Sequence, residues 1–186
     1  LHCSSAASDV YKRQVCEPIR EIDDHLESLS GAEGDPTHLY LSGLKVLQSV
    51  LERVGAGLSP LNDELCMIAH RVMAGPVSRL ESVLGLLAGS LGREHASSLH
   101  MARALSQSTL SDDSRAEVMT MHHLGLMAIA SEDPLRASFL FEKAAEQSSF
   151  SNKTRLTNLV AAGISRHLVG EDCLLYTSPS PRDRTT

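Results

Sequence analysis

Residues 124–147 read LGLMAIASEDPLRASFLFEKAAEQ and predict two helices joined by a tight turn. The Asp-Pro pair in the middle predicts the start of the second helix, because Asp accepts hydrogen bonds from free amides as an N-cap and Pro fits the first helical turn. Ala137, Phe141 and Ala144 then recur at spacings of four and three residues, which places them on one helical face. This stretch therefore predicts an amphipathic helical hairpin.

The sizes of the side chains indicate a close approach between the two helices. Gly125 is small in the first helix, Ala137 and Ala144 are small in the second, and Phe141 is the large side chain between them. Together with Leu124, this order resembles the tetratricopeptide (TPR) hairpin, in which a Leu-Gly pair is followed by Ala, an aromatic residue and Ala. The resemblance implies a helical repeat.

Three positions depart from the TPR pattern. Met121 and Ala128 stand where the first helix usually has Trp and Tyr, and Ser149 stands where a Pro often closes the unit. An amphipathic hairpin outside this family would share some of the remaining spacings. A single match therefore leaves both interpretations open.

A second copy of the pattern lies forty residues earlier and favours the repeat. The sequence LGLLA at residues 84–88 matches LGLMA at residues 124–128 without a gap, and Ser, Met and Ala then follow at the later copy's spacings. We therefore predict an all-α fold of antiparallel helical hairpins, stacked as a TPR-like right-handed α-solenoid. The predicted repeat-packing residues are Leu84, Gly85, Ser97, Met101, Ala104, Leu124, Gly125, Ala137, Phe141 and Ala144.

The two ends of the chain are related to each other as DNA. A DNA sequence that encodes Asp9–Gln14, read in the opposite orientation, encodes Cys173–Ser178. Residues 1–14 and 173–186 therefore resemble translated sequencing adapters, a relation that neither a signal peptide nor a Ser/Pro tail explains. We expect residues 15–172 to be native and to be an internal fragment of a longer gene.

Glycine and proline divide the native part into helices. Gly55-Ala56-Gly57 predicts the end of one helix, and Gly75-Pro76 predicts a second break. Ser114 and Glu117 form a capping-box pattern before the helix that contains Leu124. The predicted organisation is a set of N-terminal helices in a degenerate repeat, then two repeats and the first half of a third, at residues 15–76, 77–110, 114–150 and 153–172.

Composition and charge exclude several classes of partner. The whole chain carries a net charge of −6. Residues 15–172 alone carry −8, because each of the two end segments contains two basic residues and one acidic residue. An acidic chain lacks the basic patch of a nucleic-acid surface. No apolar run approaches the roughly 20 residues that span a bilayer. Two cysteines in residues 15–172 give no disulfide framework. We therefore expect an intracellular protein that contacts neither nucleic acid nor membrane directly.

No pattern of catalytic or metal-binding residues is evident. The rings of His122-His123 point about 100° apart on a helix, so we expect one in a seam between helices and one in solvent. Cys66 and His70, four residues apart, could share a metal, but no second pair accompanies them and a buried thiol is favoured. Phosphate loops, nucleophile elbows and zinc-protease motifs are absent from the sequence. We expect no enzymatic activity, cofactor, metal or small-molecule substrate.

The TPR resemblance implies a groove, lined by the first helix of each hairpin, that binds a segment of another protein. One TPR class clamps a carboxylate with basic residues and Asn, but Leu126 stands at the Asn position, and Met119 and Ser82 are not basic. We therefore expect an apolar partner segment, extended or helical. The implied groove residues are Arg79, Ser82, Leu86, Met119, His122, Leu126, Ile129, Thr157, Val160 and Ile164.

A closer resemblance covers about residues 80–170. HHLGLMAIASEDPLRASF at residues 122–139, followed by NLVAAGI at residues 158–164, is similar to the TPR array of the MAU-type (sister-chromatid cohesion protein four) subunit of the cohesin loader. The spacing to Asn158 is shorter than in that family, and no similarity precedes Pro76. The resemblance implies a nuclear scaffold in chromatid cohesion that holds the N-terminal segment of the loader's large subunit.

A second function class stays open. The same helices would suit the sensor or regulatory arm of a larger signalling or transcription protein, whose effector domain lies outside this sequence. Such a protein, or a scaffold unrelated to cohesin loading, would be expected in the cytoplasm. A DNA-binding or ATPase domain elsewhere in the gene would favour the regulatory arm, and helical repeats throughout would favour the scaffold.

Overall fold

A computed structural model of the chain describes residues 12–30, 34–58, 63–111 and 113–169. This part of the chain is almost entirely helical and contains no strand, which confirms the predicted all-α class for the described residues. A π-helical turn at Lys12–Cys16 precedes the α-helices. The helices are α1 (Glu17–Ser30), α2 (Pro36–Leu58), α3 (Asp63–Ser90), α4 (Glu94–Leu110), α5 (Ser114–Ala130), α6 (Pro134–Gln147) and α7 (Asn152–Leu168).

The chain divides into two compact units, residues 1–123 and residues 124–186, with the division inside α5. The predicted adapter segments lie outside the described residues, except for residues 12–14 in the π-helical turn. Gly170, which the repeat pattern places in a further turn between helices, also lies outside them. The first unit is therefore described from residue 12 and the second unit up to residue 169.

Two predicted helix breaks are wrong. Helix α2 continues through Gly55-Ala56-Gly57 to Leu58, and α3 continues through Gly75-Pro76. A glycine inside a helix costs about 1 kcal/mol and a proline about 3 kcal/mol, which packing can offset. Met73 and Val77, on either side of Pro76, are buried in the same apolar cluster. That shared cluster holds both halves of α3 in one helix, although the proline removes a backbone hydrogen bond.

One predicted helix start is also displaced. The N-cap of α5 is Asp113 rather than Ser114, because the Asp113 Oδ1 atom accepts a hydrogen bond from the Arg115 backbone amide at 3.0 Å. Helix α6 begins as the sequence predicts, and α7 begins with the same kind of cap. Asp133 Oδ1 accepts from the Arg136 amide at 3.1 Å, and Ser151 Oγ accepts from the Thr154 amide at 3.2 Å. A short polar side chain therefore satisfies a free amide at each of these starts.

The core of the first unit lies among the π-helical turn, α1, α2 and α3. Helices α2 and α3 approach closely at Gly43, where an added Cβ atom would lie 2.8 Å from Leu84 Cδ2. The part of the chain that is predicted to be a degenerate repeat thus has a small residue where its helix crosses α3. The buried members of this cluster are Val15, Ile22, Tyr40, Leu47, Val50, Val54, Ala69, Met73, Val77, Leu80, Leu84 and Ala88.

The two repeats seen in the sequence share one turn geometry. The turn after α3 has Gly92 at φ 69°, and the turn after α5 has Glu132 at φ 58°, forty residues later. In each turn the next amide reaches back to the first helix. Arg93 N donates to Ala88 O, and Asp133 N donates to Ala128 O, both at 2.9 Å. A left-handed residue closes a helix end in this way.

Each turn is followed by a second helix that presses a large side chain onto a glycine of the first. A Cβ atom added to Gly85 would lie 2.8 Å from Met101, and one added to Gly125 would lie 2.7 Å from Phe141. Met101 is 3% exposed and Phe141 is 1% exposed. Glycine is required at both places because any larger side chain would occupy the same space. These are the contacts that the spacing predicts.

The second unit has a small core of its own. Ala128, Ala137, Phe141 and Ala162 are buried there, with Ile129, Leu140 and Ala161 packed against them. Arg166 of α7 forms an ion pair with Glu142 of α6, and its Nε atom donates to Ser138 Oγ at 3.2 Å. Alanine dominates this core, so the one phenylalanine supplies most of its apolar volume.

Candidate partner-binding surface

The predicted repeat-packing residues are nearly all buried. Leu84, Ala104, Ala137 and Ala144 are fully enclosed, Ser97 is 1% exposed, and its Oγ atom donates to the Gly85 carbonyl at 2.7 Å. Leu124 is only partly buried. These residues hold the hairpins together, and a partner would have to use the opposite sides of the first helices.

The predicted groove residues fall into three groups by exposure. Leu126, Val160 and Ile164 are 41%, 54% and 57% exposed, and all three belong to the second unit. Thr157 is exposed as well. The partly buried members are Leu86, Met119, His122 and Ile129, of which Ile129 packs against the second unit's core. The most accessible apolar positions of the predicted groove are therefore on α5 and α7.

Two other members are committed to contacts within the first unit. Ser82 is fully buried, and its Oγ atom lies 3.0 Å from His123 Nδ1, so its prediction as a groove-lining residue is wrong. The Arg79 guanidinium lies 2.9 Å from Asp23 Oδ1 and 3.7 Å from Asp113 Oδ2. Two carboxylates thus offset its charge. The TPR spacing could not reveal either contact, because the partners come from distant parts of the sequence.

The paired histidines differ in their environments. Burial, reinforced by the neighbouring His122 ring, lowers the pKa of His123 to about 4, although a hydrogen bond with the Ser82 backbone acts in the opposite direction. His123 is the ring in a seam between helices, as predicted. His122 is partly buried rather than free in solvent, with its ring centroid 6.0 Å from that of His123. The neutral form of His123 is therefore favoured near pH 7.

A buried polar chain in the first unit escapes sequence analysis. Tyr40 Oη lies 3.1 Å from His100 Nε2, and His100 Nδ1 lies 2.5 Å from Glu81 Oε2. The His100 and Glu81 side chains are 7% and 4% exposed. This buried polar chain joins α2, α3 and α4. The one sequence feature that could have indicated this polar chain is Glu81, because the equivalent position of the other repeat is apolar.

The first unit also contains a cleft of about 460 Å³ near the Pro76 region of α3. Arg79 and Asp113 face each other across it, and Gly75 lies so close to Asp113 that an added Cβ atom would be 2.8 Å from its side chain. The cleft walls are Ile19, Arg71, Val72, Gly75, Pro76, Arg79, Ser111 and Asp113. Opposite charges pair inside this cleft, so it offers no uncompensated charge from Arg79 to a ligand.

Neither a metal cluster nor a membrane helix is found in the described part of the chain. No group of three or more His, Cys, Asp or Glu residues there is placed to hold a metal ion. No helix formed by those residues has the length and apolarity to cross a membrane. The Cys66 side chain, and with it the proposed pairing with His70, lies outside the described residues. Comparisons with protein-family models, curated proteins and solved structures find no match to this chain.

Proposed function

We propose that this chain is a protein–protein interaction scaffold of TPR type, whose hairpins stack as a right-handed α-solenoid. The proposal is supported by two hairpins with the same left-handed turn and the same glycine-on-large-side-chain contact. A repeat of this kind buries its apolar face against its neighbours and leaves extended surfaces for binding.

The observation that carries the binding role is the exposure of apolar residues at predicted groove positions. Leu126 of α5 and Val160 and Ile164 of α7 remain 41–57% exposed. If these positions line one groove, as the TPR resemblance implies, they form an exposed apolar surface of the kind that binds other proteins. The partner is an extended or helical apolar segment, because grooves between helices take such segments through regularly spaced apolar anchors.

The test replaces Leu126 and Ile164 with Glu in the chain and compares the proteins that it retains in affinity purification from its host. Both positions are exposed, so the helical content by circular dichroism should not change. Ile129 is avoided because it packs against the core. We expect the main partner to be lost. A matched double variant at Leu135 and Phe139, which are 56% and 58% exposed on α6, should retain it. Equal retention by both double variants would refute the groove.

The resemblance to the cohesin-loader subunit gives a specific form of this proposal. In that form, the retained partner is the N-terminal segment of the loader's large subunit, and the scaffold works in the nucleus. Recovery of a chromatin-loading complex in the same purification is the expected result. Recovery of a membrane or metabolic partner alone, sensitive to the Leu126 and Ile164 changes, would overturn the cohesin form and leave the scaffold standing.

A further inference from the structure

We propose a second interaction surface, the Gly163 face of α7, formed by Leu156, Leu159, Val160 and Gly163. It binds an acidic amphipathic helix of another protein at the place where a second helix would complete the predicted third repeat. This helix inserts a large apolar side chain above Gly163. This surface shares only Val160 with the groove, and its central residue, Gly163, is not a groove residue.

The first step is the structural equivalence of α5 and α7. Their N-caps, Asp113 and Ser151, are thirty-eight residues apart, and so are Gly125 and Gly163. In α5 the glycine is covered by Phe141 at 2.7 Å, yet a Cβ atom added to Gly163 would meet nothing within 4 Å. Gly163 is therefore the same small position without the large side chain that covers it in the preceding hairpin.

The residues around the glycine follow the same contrast. One and two turns before it, α3 has Glu81 and Ser78, which are 3% and 0% exposed, and α5 has Val118, which is 2% exposed. The equivalent residues of α7, Leu159 and Leu156, are 47% and 62% exposed. Met121, the α5 equivalent of Leu159, is partly buried. The open face of α7 thus carries two large apolar side chains whose equivalents in the earlier helices are buried or partly buried. Burial of each of these exposed side chains by a partner would contribute about 1.5–3 kcal/mol of stabilisation.

The chemistry of the occupant follows from what covers the earlier glycines. Helix α4 presents Met101 between Ser97 and Ala104, and α6 presents Phe141 between two alanines. A helix that covers Gly163 needs a large flexible or aromatic side chain flanked by small residues at positions four before and three after. Only this order allows a close approach while still filling the space above the glycine.

The basic residues of α7 indicate that the bound helix is acidic. Helix α7 carries Lys153, Arg155 and Arg166 and no acidic residue, in a chain whose net charge is −6. At about 100° per residue, Lys153 and Arg155 fall on opposite sides of the Gly163 face. Both are exposed. Acidic residues on the flanks of an approaching helix would therefore meet cations on both sides, which directs its orientation and raises its association rate.

The Gly163 face differs from the groove by its direction on the helix. Ile164, the most exposed of the accessible groove residues, points about 100° away from Gly163 because it is the next residue of the same helix. A partner on the Gly163 face can therefore bind without contacting Leu126 or Ile164. Val160 lies between the two surfaces and is left unchanged in the test.

The test uses a fluorescent peptide with the α6 sequence Pro134–Gln147 and the changes Arg136→Glu, Lys143→Glu and Gln147→Glu. These changes make it acidic and, with Glu142, place acidic residues on both flanks of Phe141. Its binding to the 186-residue chain is followed by fluorescence anisotropy. We expect Gly163→Leu to weaken binding at least tenfold, because the added side chain occupies the space of the peptide phenylalanine. Circular dichroism should show unchanged helicity, since the new side chain meets open space. The same peptide with Phe141→Ala should bind at least tenfold more weakly.

Matched controls separate the outcomes. Gly55→Leu places the same substitution on an equally open glycine of α2 and should leave the affinity within twofold. Leu126→Glu should also retain the peptide, although it removes the groove partner. Lys153→Glu with Arg155→Glu should weaken binding and reduce its dependence on salt. Absence of peptide binding, or peptide binding that survives Gly163→Leu, would overturn the proposal. So would a dimer of the chain, seen by sedimentation, that Gly163→Leu disrupts in place of peptide binding.

Discussion

Both hairpins pack a large side chain against a glycine, but the residues around this contact differ in polarity. In the first, Gly85 lies under Met101, and polar contacts surround the pair. Ser97 donates to the Gly85 carbonyl, and Glu81 meets His100 at 2.5 Å. The glycine and its cover sit sixteen residues apart, as in the second hairpin.

In the second hairpin the same places are apolar. Phe141 lies over Gly125, and Ala137 stands where the first hairpin has its serine. The comparison teaches that the repeat conserves size at each position rather than polarity. The buried Ser97, Glu81 and His100 side chains are tolerated in the first hairpin because each has a hydrogen-bond partner, which offsets the desolvation of its polar atoms.

The largest expected effect is the loss of the aromatic cover. Phe141→Ala should lower the free energy of unfolding by about 3–5 kcal/mol, the range for emptying a large core side chain. Met101→Ala should cost less, because a flexible thioether leaves a space that neighbours refill more easily. Urea titration of both variants measures the difference. A cost below about 1 kcal/mol for Phe141→Ala would mean that the second hairpin does not pack as described.

Acid should destabilise the first unit more than the second. The folded-state pKa of His123 is about 4 and its unfolded value is 6.5, so the unfolded chain binds more protons between these values. Stability from this group is complete above pH 6.5 and is lost as pH falls toward 4, by roughly 3 kcal/mol in total. Burial also lowers the pKa of His25, although Glu21 opposes this shift, and His25 acts in the same direction.

Hydrogen exchange at pH 7 and pH 4.5 tests this expectation, because both histidines lie in the first unit. We expect amides of residues 63–123 to lose protection on acidification and amides of residues 134–168 to change less. His123→Gln should flatten the pH dependence of urea unfolding, and the exposed His38→Gln should leave it unchanged. An equal loss of protection in both units would contradict the contrast.

The third prediction compares Gly125, which Phe141 covers, with Gly163, which faces open space. Gly125→Leu should destabilise the chain by about 1–3 kcal/mol through overpacking against Phe141. Gly163→Leu should instead add up to about 1 kcal/mol, because leucine favours the helix over glycine and meets open space there. Thermal unfolding of the two variants gives the two signs. Destabilisation by Gly163→Leu would show that α7 packs more closely than described.

The smallest expected effect concerns the shared turn. Glu132 holds a left-handed conformation that the first hairpin assigns to Gly92. Because a non-glycine residue is strained there by roughly 1 kcal/mol, Glu132→Gly should stabilise the chain by about that amount. Gly92→Ala should have the opposite effect, and chemical denaturation of the pair would reveal both. Opposite shifts of similar size would support the equivalence of the turns.

The sequence predicts local features of this fold well. The helix class, the cap at Asp133, and the covers Met101 and Phe141 all follow from patterns within one hairpin. The predicted break at Gly75-Pro76 fails because local propensity is worth only a few kcal/mol, and core packing of Met73 and Val77 on both sides outweighs it. At Gly55-Ala56-Gly57 the helix continues only to Leu58.

The candidate surface was less accessible to sequence reasoning. Ser82 was placed in the groove by its repeat position, but its partner, His123, is forty-one residues away. The link between Tyr40 and His100 likewise joins residues sixty apart. Hydrogen bonds between distant residues depend on how helices cross, which periodicity does not encode. The sequence does not show that Gly163 is uncovered. This becomes clear only in the structure, where the equivalent Gly85 and Gly125 are covered.

The link between Tyr40 and His100 also bears on the order in which the chain folds. It requires closure of a sixty-residue loop, whereas the second unit joins Ser138 to Arg166 across twenty-eight residues. Shorter loops lose less entropy on closing and are found by diffusion sooner. We expect residues 124–169 to become structured first. The polar centre of the first unit would then form late, as the step that brings its three helices into register.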